Sequence, residues 1–468
     1  MKKIFVIGGG TAGLISALIL KSRFPNINVE IIESSKVGIV GVGESSTEHW
    51  KVFCESIGVP MEEFICNTNA TFKNGVYFED WGEEDFIHTV DTTRHKVDAD
   101  YFRVYAHIIC HDRGPKAMCG PENWKNKVCA AHRVPTNQFH FDTYSLNKYL
   151  HHICYLKGIG VHVDDLIGVK RRLGGNISSV VSKSSVYEAD FFIDCSGFSR
   201  FLSKNVRWKS YSKYLPLNSA ITFETAEMEE YNLHTHATRR NAGWSWSIPT
   251  RYKTGNGYVF CDRFINQDQA KKEMEESYDQ KLEFGKLFKF DPGRLENAWN
   301  KNCYSVGLSQ SFIEPLEATS IGSVIQQMLC FIHYLPSYDM KECNRLVNDI
   351  FDNAFDFVQA HYLTKKEDTP FWKHNKRNLN LTPSLKKRLE CWKNRLPLSG
   401  EVGVKWGMFT SDNYIPVLYG LGWFDVDKIK EEYSYYCDDS DISHSHLRKY
   451  DSIPELIGHR ESLERVWK

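Results

Sequence analysis

The sequence predicts an α/β fold in which a Rossmann-like dinucleotide-binding module precedes a mainly helical C-terminal region. Three observations lead to this prediction. Residues 3–24 read as a strand, a glycine turn and a helix, and residues 28–34 supply a second strand that completes a βαβ unit. Residues 189–200 contain another short apolar run that ends in a glycine turn. Beyond residue 320, apolar side chains recur at helical spacing.

The first elements follow from local sequence. Ile4–Ile7 is continuously apolar, which is typical of a parallel strand covered on both faces. The next segment has apolar residues at helical spacing and ends in Lys21 and Arg23, whose charges suit a helix C-terminus. Residues 1–345 are predicted to form the dinucleotide-binding module, with inserted segments at about 70–140 and 205–295.

The C-terminal region, residues 346–468, is predicted to be mainly helical. Residues 321–335 and 347–363 carry long apolar helical patterns, the first of which begins just before this region. Residues 381–394 begin another helix after a loop, with a Thr or Ser available as the N-terminal cap.

Composition and charge exclude several classes of function. The 468 residues have a formal net charge of −1, which gives no electrostatic reason to expect nucleic acid or a membrane as partner. The apolar runs are too short to cross a bilayer. The 13 cysteines are scattered without disulfide or metal spacing, so we predict reduced thiols, no metal site and a cytoplasmic protein without a signal peptide.

A glycine motif links the first strand to the first helix. Gly8 permits a tight turn, Gly10 lets backbone amides approach a pyrophosphate, and Gly13 allows the helix to pack closely on the strand. Glu33 ends the next strand, where its carboxylate would accept a hydrogen bond from a ribose hydroxyl. Together these residues predict a dinucleotide-binding site.

The identity of the dinucleotide is predicted from two further glycine-containing segments. Residues 36–46 form a second glycine-rich stretch that suits a loop along an extended cofactor, and residues 194–198 could close over the same ligand. A second nicotinamide fingerprint is absent, so these features favour FAD over NAD. The predicted contacts then also include Thr11 and Ala12 in the first turn and Gly43 and Glu44 in the second stretch.

Two tryptophans lie one residue apart in the stretch GWSWSIPT, residues 243–250. Positions i and i+2 of a strand share a face, so Trp244 and Trp246 would stand side by side, with Pro249 ending the run. The pair could fill a core, or it could form a wall against a ligand.

Several ordered motifs resemble one family, the flavin-dependent halogenases of the tryptophan halogenase type. The resemblance covers most of the chain, and its motifs are GGGTAGL (8–14), GVGES (41–45), ATFKNGVYFEDW (70–81), FHFD (139–142), DCSGF (194–198), WSWSIP (244–249), GLSQSFIEPLEATS (307–320), HYLTKKEDTPFW (361–372) and NYIPVLYGLGW (413–423). The first and fifth are shared with flavin monooxygenases generally. The fold implied is the FAD-binding module of the glutathione-reductase and flavin-monooxygenase type, with the inserted segments and the helical region completing a substrate site.

The resemblance implies a two-component FAD-dependent halogenase. Reduced FAD (FADH2), supplied by a separate flavin reductase, would react with oxygen to give a flavin hydroperoxide that oxidises chloride, bromide or iodide to hypohalous acid. Lys73 would present the halogen to an electron-rich aromatic ring, either as an ammonium that binds hypohalous acid or as a haloamine. Glu317 would pair with Lys73, or stabilise the ring cation and aid proton loss; Glu314 is the nearby alternative carboxylate.

The resemblance also assigns the halide site and further contacts to the flavin. Thr319 and Ser320 fall where the family binds halide, and helix-start amides suit an anion. The family usually has Thr-Gly where this chain has Thr-Ser, so the preferred halide stays open. Leu308 and Ile321 match flavin-contacting positions. The resemblance implies that Trp244 and Trp246 form a wall between the flavin chamber and the substrate chamber.

The substrate side departs further from the family, so the chain resembles a divergent member with a shortened substrate-binding region. Only about twenty residues separate the ECWKN helix from the NYIPVLYGLG segment, and Trp406 and Phe409 are the aromatic candidates within them. His88 could face an aromatic ring, whereas Val90 lacks the ring that the family often has there. These departures favour a small indole, phenol or other electron-rich ring over free tryptophan, and leave a larger or carrier-bound substrate open.

Two alternatives remain at this point. A flavin-dependent aromatic monooxygenase would use the same fold but would need neither Lys73 and Glu317 nor the Trp pair. A catalytically silent FAD-binding or redox-sensing protein would need only the dinucleotide site. A homo-oligomer also stays open.

Overall fold

The structure, a computed structural model, describes residues 1–38, 43–89, 101–119, 121–436 and 455–467. Its strands are β1 Lys3–Ile7, β2 Asn28–Glu33, β3 Glu44–Ser45, β4 Thr71–Lys73, β5 Gly75–Glu79, β6 Phe86–Thr89, β7 Lys127–Cys129, β8 Gln138–Phe141, β9 Gly160–Val163, β10 Leu166–Arg171, β11 Ile177–Ser182, β12 Val186–Glu188, β13 Phe191–Asp194, β14 Trp208–Ser210, β15 Ser219–Ala226, β16 Thr235–Arg240, β17 Gly243–Thr250, β18 Lys253–Phe260, β19 Phe288–Lys289, β20 Gly293–Leu295, β21 Trp299–Asn300, β22 Cys303–Ser305, β23 Ser311–Phe312 and β24 Leu456–Gly458.

The helices lie between these strands and dominate the chain after β23. They are α1 Thr11–Arg23, α2 His49–Ile57, α3 Met61–Asn67, α4 Tyr101–Cys110, α5 Pro121–Trp124, α6 Thr143–Leu156, α7 Gln267–Tyr278, α8 Thr319–Tyr334, α9 Met340–Ala360, α10 Pro370–Asn378, α11 Pro383–Trp392, α12 Ser411–Gly420, α13 Val426–Tyr436 and α14 His459–Trp467. Short 3-10 turns occur at Pro115–Met118, Gly197–Ser199, Gly307–Ser309 and His361–Leu363.

A six-stranded sheet forms the predicted Rossmann-like module. Its order is β21-β22-β13-β1-β2-β9, and β1 lies parallel to both β2 and β13. The register pairs Ile7 with Ile32 and with Asp194, so the turns that follow β1 and β13 lie at the same end of the sheet. Apolar residues of β1, α1 and α8 share one buried core. The predicted α/β fold is therefore confirmed.

A seven-stranded sheet carries the Trp pair. Its order is β19-β15-β18-β17-β16-β5-β6, with β17 between β16 and β18. Pro249 was expected to end this strand, but it lies within β17 and pairs with Thr254. The β16 ladder begins only at the pair His236–Ser247, so a proline beyond Ser247 removes no hydrogen bond to β16.

The C-terminal helices cover the seven-stranded sheet. Apolar residues of α9, α11 and α12 share a buried core with β5 and with Trp244 of β17. The cap predicted for α11 is confirmed, because the Thr382 hydroxyl accepts a hydrogen bond from the Leu385 amide. The boundary expected at residue 345 falls inside α9, so one helix continues across the two predicted regions.

A third, small sheet has the order β3-β8-β4. It pairs Lys73 with Gln138 and Glu44 with Phe141, which places both polar residues on neighbours of β8. Within the described ranges, no helix has the length and apolar character to cross a membrane, and no group of three His, Cys, Asp or Glu side chains is arranged to hold a metal ion.

Candidate active site

The glycine turn after β1 fits a bound FAD. A Cβ at Gly8 would lie 2.3 Å from the Cys195 carbonyl oxygen, and one at Gly13 would lie 1.9 Å from the Gly8 carbonyl oxygen, so both positions require glycine. Gly10, by contrast, faces open space and caps α1 without a side-chain hydrogen bond. The first-turn amides of α1 are therefore accessible to a pyrophosphate.

The other residues expected to contact the cofactor surround this turn. The Thr11 hydroxyl donates to Glu44 Oε1 at 2.9 Å, which joins the second glycine-rich stretch to the start of α1. The Gly43 amide donates to the Thr143 hydroxyl at 2.9 Å; residues 41 and 42 of that motif lie outside the described residues. Glu33 ends β2, with Oε2 3.2 Å from His151 Nε2.

The segment around Leu308 closes the same end of the sheet. A Cβ on Gly307 would lie 2.8 Å from Ala12 Cβ, so this turn packs directly on α1. Leu308 follows within the 3-10 turn, and Ile321 is buried at the start of α8. The structure thus brings these predicted flavin contacts into one neighbourhood with the glycine turn.

Lys73 is a fully buried lysine. Its ammonium group donates to the Ser46 carbonyl at 2.9 Å. Burial lowers the pKa of Lys73 to about 8, although the negative charge of Glu317 opposes part of this effect. In the part of the chain that the structure describes, Lys73 and Glu317 form no ion pair, so the direct pairing considered from the sequence is absent.

Glu317 is instead held by two buried histidines. Its Oε2 lies 2.9 Å from His88 Nδ1, and its Oε1 lies 2.9 Å from His361 Nε2. Burial alone would raise the pKa of this carboxyl group, but its contacts with the two histidines overcome that effect and lower it to about 2. The carboxylate form of Glu317 is therefore stable in the protein interior.

Glu314, three residues earlier, has a different environment. Both Trp244 Nε1 and the Tyr362 hydroxyl donate to Glu314 Oε1, at 3.1 and 2.6 Å, whereas Oε2 is buried without a hydrogen-bond partner. Burial raises the pKa of Glu314 to about 7. The two carboxyl groups of this turn are thus distinguished by their surroundings, and only Glu317 is held as a carboxylate.

The Trp pair lies on a face of β17 that also carries Ile248. Trp244 and Trp246 share a face of β17, as expected, with ring centroids 6.1 Å apart. Trp244 is bonded to Glu314, while Ile248, on the same face, packs against Gly43 with Cγ2 3.3 Å from a Cβ built there. One face of β17 therefore runs from the Glu317 turn to the second glycine-rich stretch.

The start of α8 borders a small cavity. Ala318 precedes the helix with a left-handed φ of 53°, and its side chain cannot cap the first-turn amides. The cavity has a volume of about 20 Å³, and it is lined by Ser311, Phe312, Ile313, Thr319, Ser320, Ser323, Phe351 and Ala354. Hydroxyl groups and helix-start amides thus meet in one place, which suits a small anion.

The three aromatic candidates for the substrate site separate into two groups. Phe409 is buried, 4.2 Å from Phe357 and 6.4 Å from His88 between ring centroids, so it belongs to the Glu317 region. Trp406 lies beside His333, with ring centroids 6.2 Å apart, and His333 is in the last turn of α8, far from Thr319 and Ser320 at its start. Val90 lies outside the described residues.

Two residues of this centre were not identified from the sequence. They are His361, which contacts Glu317, and Asn413, whose Nδ2 lies 3.1 Å from His88 Nε2. Each is the first residue of a motif that carries the family resemblance, HYLTKKEDTPFW and NYIPVLYGLGW. The motifs gave a signal, but their sequence does not reveal which side chain meets Glu317.

An FAD-binding Rossmann-like module, joined to a buried lysine and an ionised glutamate behind a tryptophan-bearing strand, defines the class of flavin-dependent enzymes that act on aromatic compounds. The chain belongs to the tryptophan halogenase family, whose model, described as "Tryptophan halogenase", matches residues 3–430. It is therefore a flavin-dependent halogenase, an enzyme that uses FAD, and the hydroxylase alternative is not favoured.

The similar proteins include characterised tryptophan halogenases. Tryptophan 6-halogenase SttH of Streptomyces toxytricini is 29% identical over 90% of this chain and 89% of its own length. Tryptophan 7-halogenase RebH of Lentzea aerocolonigenes is 28% identical over 90% of this chain and 89% of its own.

Solved structures match over the whole chain. The crystal structure of SttH covers 99% of this chain and 100% of its own, with a TM-score of 0.85 at 26% identity. The crystal structure of a tryptophan halogenase from Shewanella frigidimarina NCIMB 400 covers 100% of this chain and 98% of its own, with a TM-score of 0.87. At 21% identity, the latter supports the fold alone.

Proposed function

We propose that this enzyme is a two-component halogenase in which Lys73 delivers an oxidised halogen to a small, electron-rich aromatic substrate. The observation that carries the proposal is the fully buried amine of Lys73, which has no carboxylate in ion-pair contact among the described residues. When reduced FAD is bound, it and oxygen together would supply the oxidising power that converts halide to hypohalous acid. Burying an unpaired ammonium group is unfavourable, so a structural role does not explain a lysine in such an enclosed position, whereas a chemical role does.

Lys73 and Glu317 would have separate roles. With its pKa near 8, a substantial fraction of Lys73 is a neutral amine that can accept an electrophilic halogen. Its neighbour His140 is held neutral, because burial lowers the pKa of that imidazole well below its ordinary value. Glu317, ionised and fixed by two histidines, would accept the proton that the ring loses.

The halide would occupy the cavity at the start of α8. The first-turn amides of α8 and the hydroxyls of Thr319 and Ser320 would bind it. Ser320 adds a side chain where the family usually has glycine, and Ser323 adds another hydroxyl to the lining. The site is therefore more polar at this edge than a Thr-Gly site would be.

Replacing Ser320 with glycine is expected to shift the halide preference. Removing the hydroxymethyl group enlarges the cavity edge and takes away one hydrogen-bond donor, so the KM ratio of chloride to bromide should rise about three- to tenfold. Competition between the two halides, read as the ratio of chlorinated to brominated product, measures this change. A Ser323→Ala variant tests the neighbouring hydroxyl, and an unchanged ratio in Ser320→Gly would place the halide elsewhere.

Trp244 and Trp246 would act as a wall that keeps the aromatic substrate away from the flavin. Replacing both with leucine should lower halogenation by less than about tenfold and raise unproductive NADH consumption, since the wall takes no part in bond making. The measurement is halogenated product per NADH consumed. Trp299→Leu, which removes another buried ring in the six-stranded module, controls for lost packing. Complete loss of halogenation with FAD binding intact would contradict the wall role.

The substrate and partners complete the proposal. Phe409 and Phe357 form a buried aromatic cluster beside His88, and we propose that the planar ring of the substrate packs against this cluster. Because Glu317 and Asn413 engage both His88 nitrogens, only the face of the His88 ring is available for contact with the substrate. A separate flavin reductase would supply reduced FAD, and the tryptophan halogenases named above make an indole the first substrate class to test.

A single assay tests this function. The enzyme is incubated with FAD, a flavin reductase, NADH and oxygen, and aromatic compounds are screened against chloride, bromide and iodide by mass spectrometry. Halogenated product that disappears in Lys73→Met but persists in Lys183→Met, an exposed lysine, supports the proposal. Halide-independent hydroxylated product, or no product with any aromatic compound while FAD still binds, would contradict it.

A further inference from the structure

The carboxylate of Glu317 belongs to a continuous chain of hydrogen bonds. In order, the chain joins the Phe357 carbonyl, His361, Glu317, His88 and Asn413. The four side chains that make these hydrogen bonds are buried, so solvent cannot supply protons to them or remove protons from them freely. The number of hydrogens in the chain is therefore fixed by which atoms can donate and which can accept.

The Asn413 end of the chain sets the tautomer of His88. Asn413 Oδ1 accepts from the Thr410 amide at 2.7 Å, so Nδ2 is the atom that faces His88 Nε2. An amide NH2 group only donates, and His88 Nε2 must therefore be the acceptor. His88 then carries its proton on Nδ1, which donates to Glu317 Oε2, and the ring is neutral.

At the opposite end of this series of hydrogen bonds, His361 has different partners from those of His88. His361 Nδ1 lies 2.9 Å from the Phe357 carbonyl oxygen, which can only accept, so Nδ1 carries a proton. Its Nε2 lies 2.9 Å from Glu317 Oε1. If His361 were neutral and Glu317 ionised, a lone pair would face a carboxylate oxygen across this distance. One additional proton must lie between them.

We infer that His361 and Glu317 share one proton, which makes the buried pair electrically neutral, and that His361 is the positioning residue that keeps Glu317 able to accept a proton. This inference rests on the proposed role of Glu317. With the proton on His361, Glu317 is a carboxylate whose charge is compensated by an imidazolium. Lys73 is then not needed as a counter-ion, which agrees with its separate hydrogen bond to Ser46.

The proposed role fits the last step of ring halogenation. Once the carbon–halogen bond has formed, the ring is a cation that still holds its hydrogen. The C–H bond breaks, its electron pair restores the aromatic ring, and the proton passes to Glu317, so charge and atoms balance. His361 does not touch the ring; it keeps Glu317 ionised beforehand and holds it in place.

Other titratable groups face this pair from the packed elements. His88 faces it from β6 and Lys73 from β4, and the charge of Glu317 acts on Lys73. Glu314 lies in the same turn and accepts from Tyr362, the residue that follows His361. The rings of Phe78 and Phe357 pack on His361, with centroids 4.9 and 5.0 Å away, and they carry no charge.

Two matched variants test the shared proton. The His361→Gln variant keeps a hydrogen-bond donor near the position of Nε2, but its side chain cannot carry the extra proton. The His88→Asn variant replaces the neutral donor Nδ1–H with another neutral donor. In single turnovers at saturating substrate, we expect the acid limb of the rate–pH profile to move to higher pH by at least about one pH unit in His361→Gln, because Glu317 loses its compensating charge. In His88→Asn the limb should stay in place, even if the rate falls. An unmoved limb in His361→Gln, or an equal movement in both variants, would overturn the inference.

A measurement on the resting protein separates this inference from the enzyme's activity. Nitrogen NMR of protein labelled in histidine, at about pH 7.5, should show one buried imidazolium that is absent from His361→Gln. Infrared difference spectroscopy against Glu317→Gln should show the loss of a carboxylate band and no carboxylic acid band. A neutral His361, or a carboxylic acid band that comes from Glu317, would overturn the inference. If the proton is found but no aromatic compound is halogenated, the proposed function fails and the inference about the pair does not.

Discussion

Lys73→Met should abolish halogenation, by at least about a thousandfold, and should yield a more stable protein. The thioether cannot accept an electrophilic halogen or bind hypohalous acid, so the delivery step has no substitute. Methionine has nearly the same length as lysine, and its apolar side chain suits a buried position. Since the folded protein holds Lys73 with its pKa at about 8 instead of 10.5, removing the amine should raise the free energy of unfolding by about 2–3 kcal/mol at neutral pH.

The gain in the free energy of unfolding that we predict for Lys73→Met depends on pH. The lysine's folded pKa is lowered, so its destabilisation is fully present below pH 8 and disappears as the pH rises from about 8 to about 10.5. Denaturant unfolding of wild type and Lys73→Met across this range measures it, with Lys183→Met as the exposed control. A variant that is inactive because it is unfolded, or one with wild-type halogenation, would contradict the role assigned to Lys73.

Glu317→Gln should lower halogenation by about a hundred- to a thousandfold, while Glu314→Gln should have a small effect. Glutamine at 317 cannot accept the ring proton, although its amide can still accept from His88 Nδ1 and donate to Nε2 of a neutral His361. Glu314 already has one oxygen without a hydrogen-bond partner and a raised pKa, so a neutral amide of the same shape replaces it with little change. Product formation at saturating substrate and halide compares the two variants.

Measurements of folding control for the loss of activity in these two variants. FAD binding and thermal unfolding of Glu317→Gln show whether the protein remains folded, because breaking a buried ionic pair is itself destabilising by about 3 kcal/mol. If Glu314→Gln were the inactive variant and Glu317→Gln the active one, the assignment of the proton acceptor would be reversed.

Local sequence predicted the module that binds the cofactor. The glycine turn, β1, β2 and the strand before Gly197 follow from short apolar runs and from glycines whose positions leave no room for a side chain. The cap of α11 and the shared face of the Trp pair also follow from residues close in sequence. These features depend on backbone geometry, which a few neighbouring residues determine.

The proton-holding centre could not be predicted in this way. His88, Glu317, His361 and Asn413 come from four distant segments, and their meeting depends on how α9 and α12 pack on β6. The sequence also does not show that two histidines hydrogen-bond to Glu317, so it could not distinguish a direct Lys73–Glu317 ion pair from separate roles for the two residues. The position of Trp406 beside His333 likewise depends on packing.

The most direct test of the central claim separates halide oxidation from halogen delivery. Wild type and Lys73→Met are supplied with reduced FAD, oxygen, bromide and an accepted aromatic substrate, and a small-molecule trap for free hypohalous acid is added to the solution. We predict that Lys73→Met forms no halogenated substrate while the trap is halogenated at a rate close to that of wild-type halide oxidation. Halogenated substrate from Lys73→Met, or loss of trap halogenation together with product while FAD remains bound, would contradict delivery through Lys73.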